Sequence, residues 1–302
     1  MTGSLLFRRF SQHWPIYLLA VPGVVYFLVF HYAPMWGLIL SFQNYSPFKG
    51  FWDSDWVGFD NYAKFFSNDN FFLLLKNTLL LSFYNMFVFF PLTIILAIML
   101  SELRLKLFVR FTQTVVYMPH FLSWVVIYGM TISFFGATGV FNHALEGWFG
   151  DTIYFMTSND WFRPLVTFQA VWKDAGWGTI IFLAALAGIN PELYEAAKVD
   201  GASRFQNIWH VTLPALKSTI VILLLLRLGN SLDANFQQVF LMYNNLNHDA
   251  SSVFDLYVYQ VGIQKLNYSF AITVGVFKSL ASLILVLFAN YAAKWLGEEG
   301  IF

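Results

Sequence analysis

Residues 71–100 read FFLLLKNTLLLSFYNMFVFFPLTIILAIML, thirty positions with a single charged side chain, Lys76. A helix needs about 20 mostly apolar residues to cross a hydrocarbon layer, and lipid offers no hydrogen bond to an unpaired backbone group. This stretch therefore reads as a membrane-spanning helix. Five more stretches of the same kind follow from the same criterion, over 16–42, 113–135, 162–189, 219–242 and 269–295. Pro22 and Pro34 lie in the first of them, and a kink or break is expected near Pro34.

The whole chain agrees with that reading. Of 302 residues, 58% are hydrophobic and 11% charged. An ordinary soluble domain has about 25% charged residues. The fold class is all-α: a polytopic membrane protein of six transmembrane helices. No internal repeat, low-complexity tract or long linker divides it, so residues 1–302 read as one transmembrane domain. Net charge is zero, which gives no basic face for nucleic acid. Cysteine is absent, which excludes disulfides, thiolate metal sites and a cysteine nucleophile.

Charge asymmetry orients the bundle. With the N-terminus in the cytoplasm, the inner segments hold nine basic residues, from Arg8 and Arg9 to Lys294, against six acids that include Glu298 and Glu299. The outer segments hold five basic residues against nine acids. That is the positive-inside arrangement, with both termini cytoplasmic, as an even number of spans requires. Outer-loop aromatics such as Phe51-Trp52 and Trp148-Phe149 suit an interfacial belt. Arg8 and Arg9 ahead of an apolar run also fit an export signal. The run's length, its prolines and the lack of a small-residue cleavage site favour a retained span.

The inner loop of about 190–216 contains NPELYEAAKVDGASRFQNIWHVTLPAL. Asn190 is a good N-cap, Pro191 fits the first helical position and Glu192 complements the helix dipole. Asp200-Gly201 then breaks the helix, and a second short helix from Ala202 to about Val211 is expected to stop before Pro214. The product is a helix-turn-helix elbow. Its small Ala196, Ala197 and Ala202 allow another protein to approach closely, with Glu195 and Arg204 at the rim.

Here the sequence resembles a known family. Glu195-Ala196-Ala197, Gly201, and Leu213-Pro214 follow the pattern EAA, three residues, G, nine residues, I-x-LP, with Val211 in place of the isoleucine. That is the "EAA" loop of the membrane subunits of binding-protein-dependent ATP-binding-cassette importers. VGFDNYAKFF, VYMPHFLSW and YEAAKVDGASRFQNIWHVTLPAL resemble the maltose-transporter type of permease. WKDAGWGTIIFLAALAGINPELYEAA and the ending FANYAAKWLGEEGIF are similar to a subgroup that takes up oligosaccharides and polysaccharide fragments, alginate among them. The resemblance implies a second, homologous permease subunit, two ATPase subunits and an extracytoplasmic solute-binding protein as partners in a bacterial inner membrane. It also implies an elbow that seats on the ATPase through Glu195, Ala196, Ala197, Asp200, Gly201, Ala202, Leu213 and Pro214. ATP and magnesium would sit on the ATPase subunits, and no cofactor on this chain.

No catalytic residue and no metal site is expected. G-x-x-x-x-G-K-[ST] and H-E-x-x-H are both missing, and the six histidines are scattered. His120 and His210 read as packing or hydrogen-bonding residues. Polar groups within the spans stand out instead, because a charge at mid-bilayer costs about 2.5–3.5 kcal/mol on insertion scales. Lys173, Arg227 and Lys278 outnumber Asp174 and Asp233 there, which suggests a path for an anionic sugar. Substrate-path candidates are Trp172, Lys173, Trp177, Arg227, Asn230, Asp233, Asn235, Gln237 and Lys278: amides suit sugar hydroxyls and aromatics suit sugar-ring faces. The competing account of each is helix packing or charge neutralisation. The alternative function is import of another solute, such as a polyamine or phosphate ester. A membrane-embedded enzyme would need an acid–base or metal cluster, and a channel or secondary carrier would have no use for the elbow.

Overall fold

The computed structural model describes residues 2–295, 297 and 300. Glu298 and Glu299, counted above among the inner acids, lie outside the described residues. Arg8, Arg9, Trp148 and Phe149 are described by their backbone only.

Among the described residues six helices are long and apolar enough to cross a membrane: Tyr17–Phe42, Phe71–Ser101, Trp124–Gly147, Asn159–Ala187, Arg204–Gly229 and Tyr268–Trp295. Four of them match the expected stretches to within a few residues. The third and fifth do not, and each departure has a local cause. Residues 113–135 are divided. Helix Lys106–Tyr117 ends in a tight turn, Met118–Phe121, around Pro119, and Ser123 caps a new helix, Trp124–Phe135, by accepting a bond from the Val126 amide at 3.3 Å. The expected 219–242 is also divided. Helix Leu213–Gly229 closes at Asn230, and a polar linker turns the chain before Phe236–Met242 begins at Asn235, which has a φ of 45°. Asparagine tolerates that left-handed region better than most residues.

Pro214 does not stop the elbow's second helix, contrary to expectation. Arg204–Asn207 passes through a wide turn, Ile208–Thr212, straight into Leu213–Gly229. The same device recurs at Leu28–Tyr32 before Pro34 and at Asn85–Phe89 before Pro91. In each case the residue preceding the proline donates its N–H five residues back, Ala33 to Leu28, Phe90 to Asn85 and Leu213 to Ile208. A proline ring collides with the carbonyl four residues before it, and a wide turn moves that carbonyl aside. Hence the helix near Pro34 changes winding without breaking.

The described residues fall into two compact units. The first comprises residues 2–67 with Val261–Val276. In it an antiparallel pair, Gln43–Asn44 with Asp55–Trp56, follows the first span and precedes helix Asp60–Phe66. Asn61, buried, donates to the carbonyls of Ser41 and Gln43 at 2.9 and 3.0 Å, and the Tyr45 amide donates to Ser269 Oγ at 2.9 Å.

The second unit comprises Asn68–Gln260 with the sixth span from Phe277 onward. Its core joins Leu81, Phe162, Leu165, Val166, Val239, Met242 and Leu256, with a second cluster of Phe90, Ala97 and Phe182. Burying each large apolar side chain stabilises the unit by about 1.5–3 kcal/mol. A buried amide ladder crosses this core. Gln169 donates to Thr131 Oγ1 at 2.7 Å, and Gln238 donates to Gln169 Oε1 at 2.9 Å and to the Val166 carbonyl at 2.8 Å. Gly176 permits the fourth span to touch helix Lys106–Tyr117, since a Cβ there would collide with the Val116 carbonyl.

Candidate functional site: an exposed elbow and a polar cavity

The elbow is built from strong local signals. Asn190 Oδ1 accepts the Glu192 amide at 3.1 Å and starts helix Pro191–Val199. At its end the Ala202 amide donates to the Ala197 carbonyl at 2.9 Å and the Gly201 amide to the Lys198 carbonyl at 3.1 Å. That closure requires a left-handed residue. Gly201 supplies it at φ 77°. Ser203 and Gln206 then form a reciprocal capping box, which opens the next helix. The two helices and their tight turn are therefore fixed by caps within the loop itself.

Little of the elbow is buried. Glu195, Ala196, Asp200, Gly201 and Pro214 are exposed, and Ala197, Ala202 and Leu213 are half-buried. Large apolar side chains are exposed beside them: Val199 is 87% exposed and Phe205 73%, with Leu193 and Trp209 also open. Grouped apolar surface of this kind is what a protein-interaction site offers. One bond ties the elbow to the fifth span: Tyr194 Oη and Thr212 Oγ1 are 3.1 Å apart, and Thr212 is buried in the wide turn.

Within the second unit a cavity of about 280 Å³ is lined by Ser82, Asn85, Met86, Arg227, Asn230 and Ser231, with Leu224 and Leu228. A smaller pocket of about 30 Å³ shares Ser82, Asn85 and Ser231 and adds Asp233, Asn235 and Gln238. Arg227 Nη2 donates to Asn85 Oδ1 at 2.8 Å, and its guanidinium lies 3.9 Å over the Phe89 ring. None of the described ion pairs involves Arg227. Asn85 takes one of five N–H donors, and the fork geometry of the rest suits a carboxylate or paired hydroxyls.

The remaining candidates are placed elsewhere. Lys173 is buried, donating to the carbonyls of His120 and Leu122 at 2.6 and 2.8 Å, and lies 5.5 Å from the Trp124 ring centroid. It closes the break around Pro119 by satisfying carbonyls that the interrupted helix leaves without partners. Asp174 pairs with His120 at 2.8 Å, and Trp177 stacks on the His120 ring at 4.5 Å and 5°. Trp172 lines an apolar groove with Val171, Ala175 and Gly176. Gln237 is exposed, whereas its neighbour Gln238 is in the buried ladder.

Lys278 pairs with Asp233 at 2.5 Å and also with Asp255. The excess of three cations over two acids is thereby corrected. Asp255, assigned from sequence to an outer loop, is a third carboxylate on this set, and of the three cations only Arg227 lines the cavity. Sequence reasoning also missed Asn85 and Ser82. An amide and a hydroxyl inside an otherwise apolar span were the available signal; nothing local marked Asp255.

Residues 89–298 match the model of the family described as "Binding-protein-dependent transport system inner membrane component". Protein LplB of Bacillus subtilis (strain 168) is 49% identical over 95% of this chain and 91% of its own length. The polygalacturonan/rhamnogalacturonan transport system permease protein YteP of the same organism is 46% identical over 99% of this chain and 93% of its own. A bacterial alginate ABC transporter, solved in complex with an alginate pentasaccharide-bound periplasmic protein, contains a chain with TM-score 0.90 and 37% identity, covering 98% of this chain and 99% of that one. These matches, the six apolar helices and the capped elbow agree: the chain belongs to the family of inner-membrane components of binding-protein-dependent transport systems.

Proposed function

We propose that the chain is the transmembrane permease subunit of an ATP-binding-cassette importer that moves oligosaccharides or polysaccharide fragments, acidic ones among them, across the cytoplasmic membrane. Residues 1–302 act as one permease domain with both termini in the cytoplasm. A second, homologous permease completes the pathway, an extracytoplasmic solute-binding protein delivers the sugar, and two ATPase subunits bind ATP and magnesium and seat on the elbow. The chain itself has no catalytic role.

The exposed elbow carries this reading. Its caps hold Glu195 and Ala196 on an open face, with half-buried Ala197 beside bare apolar side chains, as a docking surface for a separate protein requires. The sugar assignment is supported by the relatives and by the amide- and hydroxyl-lined cavity around Arg227. ATP binding can shift the equilibrium between the outward-facing and inward-facing bundle only by favouring one state over the other. Affinity purification from membranes through a tag on this chain is expected to bring down a second permease and an ATPase, and deletion of the gene is expected to stop uptake of acidic oligosaccharides. Recovery of the chain alone, with uptake unchanged, would overturn the reading. Selective loss of uptake of a polyamine or phosphate ester would move it to the alternative substrate.

A further inference from the structure

The linker 230–235 between helices Leu213–Gly229 and Phe236–Met242 supplies Asn230 and Ser231 to the larger cavity and Asp233 and Asn235 to the smaller. Backbone bonds from the amides of Asn230, Ser231 and Asp233 to the carbonyls of Arg227, Leu228 and Asn230 shape the linker's first half, whereas the Ala234 amide, next to left-handed Asn235, bonds to a side chain instead. The structure shows what holds it. Asp255, on helix Phe254–Tyr259, uses both carboxylate oxygens: Oδ2 accepts the Ala234 amide at 3.0 Å and Oδ1 accepts from Lys278 of the sixth span. Lys278 donates in addition to Asp233 Oδ1. The side chains of Lys278 and Asp255 are 17% and 18% exposed, and that of Asp233 is 58% exposed. Neither Asp255 nor Lys278 lines either cavity.

We infer that Asp255 and Lys278 are positioning residues: they clamp the linker so that Asn230 and Ser231 stand on the wall of the larger cavity and Asp233 on that of the smaller, and thereby set the affinity of the membrane path for sugar without touching it. This rests on the reading of that cavity as part of the sugar path. The physical argument is that a shielded ion pair sharing a hydrogen bond with the backbone is strong where geometry is fixed on both sides, and removing one partner leaves the other uncompensated. The linker keeps those backbone bonds, buried Leu232 and a bond from Ser82 to the Ser231 carbonyl, so loss of the clamp loosens the linker without detaching it.

The test uses the assembled transporter in proteoliposomes with its binding protein. Asp255→Ala removes both bonds, whereas Asp255→Asn keeps an acceptor for the Ala234 amide and removes the charge. Lys278→Met removes the cation alone. Asn85→Ala, in the lining of the larger cavity, serves as the control for the path itself. Asp255→Ala is expected to raise the half-saturating sugar concentration about tenfold with a maximal rate within twofold of wild type, Asp255→Asn to restore most of the affinity, and Asn85→Ala to raise half-saturation as well. A readout independent of transport comes from the cysteine-free chain. A cysteine placed at Asn230 is expected to react with a maleimide at least fivefold faster in the Asp255→Ala and Lys278→Met backgrounds. Unchanged half-saturation in Asp255→Ala alongside a raised value in Asn85→Ala overturns the clamp while leaving the path intact. Unchanged half-saturation in Asn85→Ala overturns the path and the clamp's role in it. Equal labelling rates in all backgrounds overturn the clamp whatever transport does.

Discussion

Arg227 Nη2 stands 2.8 Å from Asn85 Oδ1, and Asn85 is the first residue of the wide turn that the second span makes ahead of Pro91. The proline sets the turn and the turn places an amide in an apolar span. The amide in turn orients a guanidinium that lies 3.9 Å over the Phe89 ring and lines a cavity.

Arg227→Met is accordingly expected to weaken the path for acidic oligosaccharides about tenfold, as loss of one charge-assisted bond of about 1.5 kcal/mol implies. Neutral oligosaccharides of the same length are expected to change less than twofold. The check is half-saturation of ATPase stimulation with each sugar class on the loaded binding protein; an equal loss for both classes would remove Arg227 from any role in charge selection.

The bond between Tyr194 and Thr212 is a direct link from helix Pro191–Val199 to the fifth span, the span that carries Arg227. Tyr194→Phe deletes one hydroxyl and about 0.5–1.5 kcal/mol of stability. Sugar transported per ATP hydrolysed is expected to fall about threefold in this variant, with basal hydrolysis and the amount of assembled complex maintained. A ratio equal to wild type would show that force reaches the span by another route.

Lys173→Met is expected to act on the fold. It strips the His120 and Leu122 carbonyls of their donor at the break around Pro119. Unsatisfied buried groups cost about 1–3 kcal/mol each, so the midpoint of thermal inactivation in detergent is expected to fall by several degrees. Sugar affinity of the surviving complex is expected to hold. A stable protein with impaired affinity would place Lys173 on the path.

Topology is open to reporters. Fusions at Lys106 or after Arg9 are expected to report a cytoplasmic location, and fusions near Asp55 or Asp249 an external one. A cytoplasmic signal at Asp55 would invert the assignment of the elbow's side.

How far the sequence carried this account depends on the range of each signal. Hydropathy placed the spans that are uninterrupted, such as Asn159–Ala187, because about 20 apolar residues have few alternatives to crossing. Caps placed the elbow's first helix, because Asn190, Pro191 and Gly201 act within a few residues. Sequence reading erred where an apolar run continues across a change of direction. The run through 219–242 hides the linker at 230–235, and Pro119 divides what looked like one span. Proline was also misread at Pro214, where a wide turn accommodates it. Long-range charge pairing was not legible: Asp255 and Lys278 are 23 positions apart, on different helices, and nothing in either neighbourhood names the other.

On the proposed function, the elbow passes the ATPase cycle to this bundle. Gly201 sits at φ 77°. Gly201→Val forces a β-branched residue into that left-handed region at a cost of roughly 1–2 kcal/mol. Glu195→Lys reverses a charge on the exposed face. The deciding measurement is ATP hydrolysis by the reconstituted complex with and without oligosaccharide-loaded binding protein. The account predicts that both variants insert in the membrane and that stimulation by the loaded binding protein is lost or falls at least fivefold. Stimulation equal to wild type in both would contradict it.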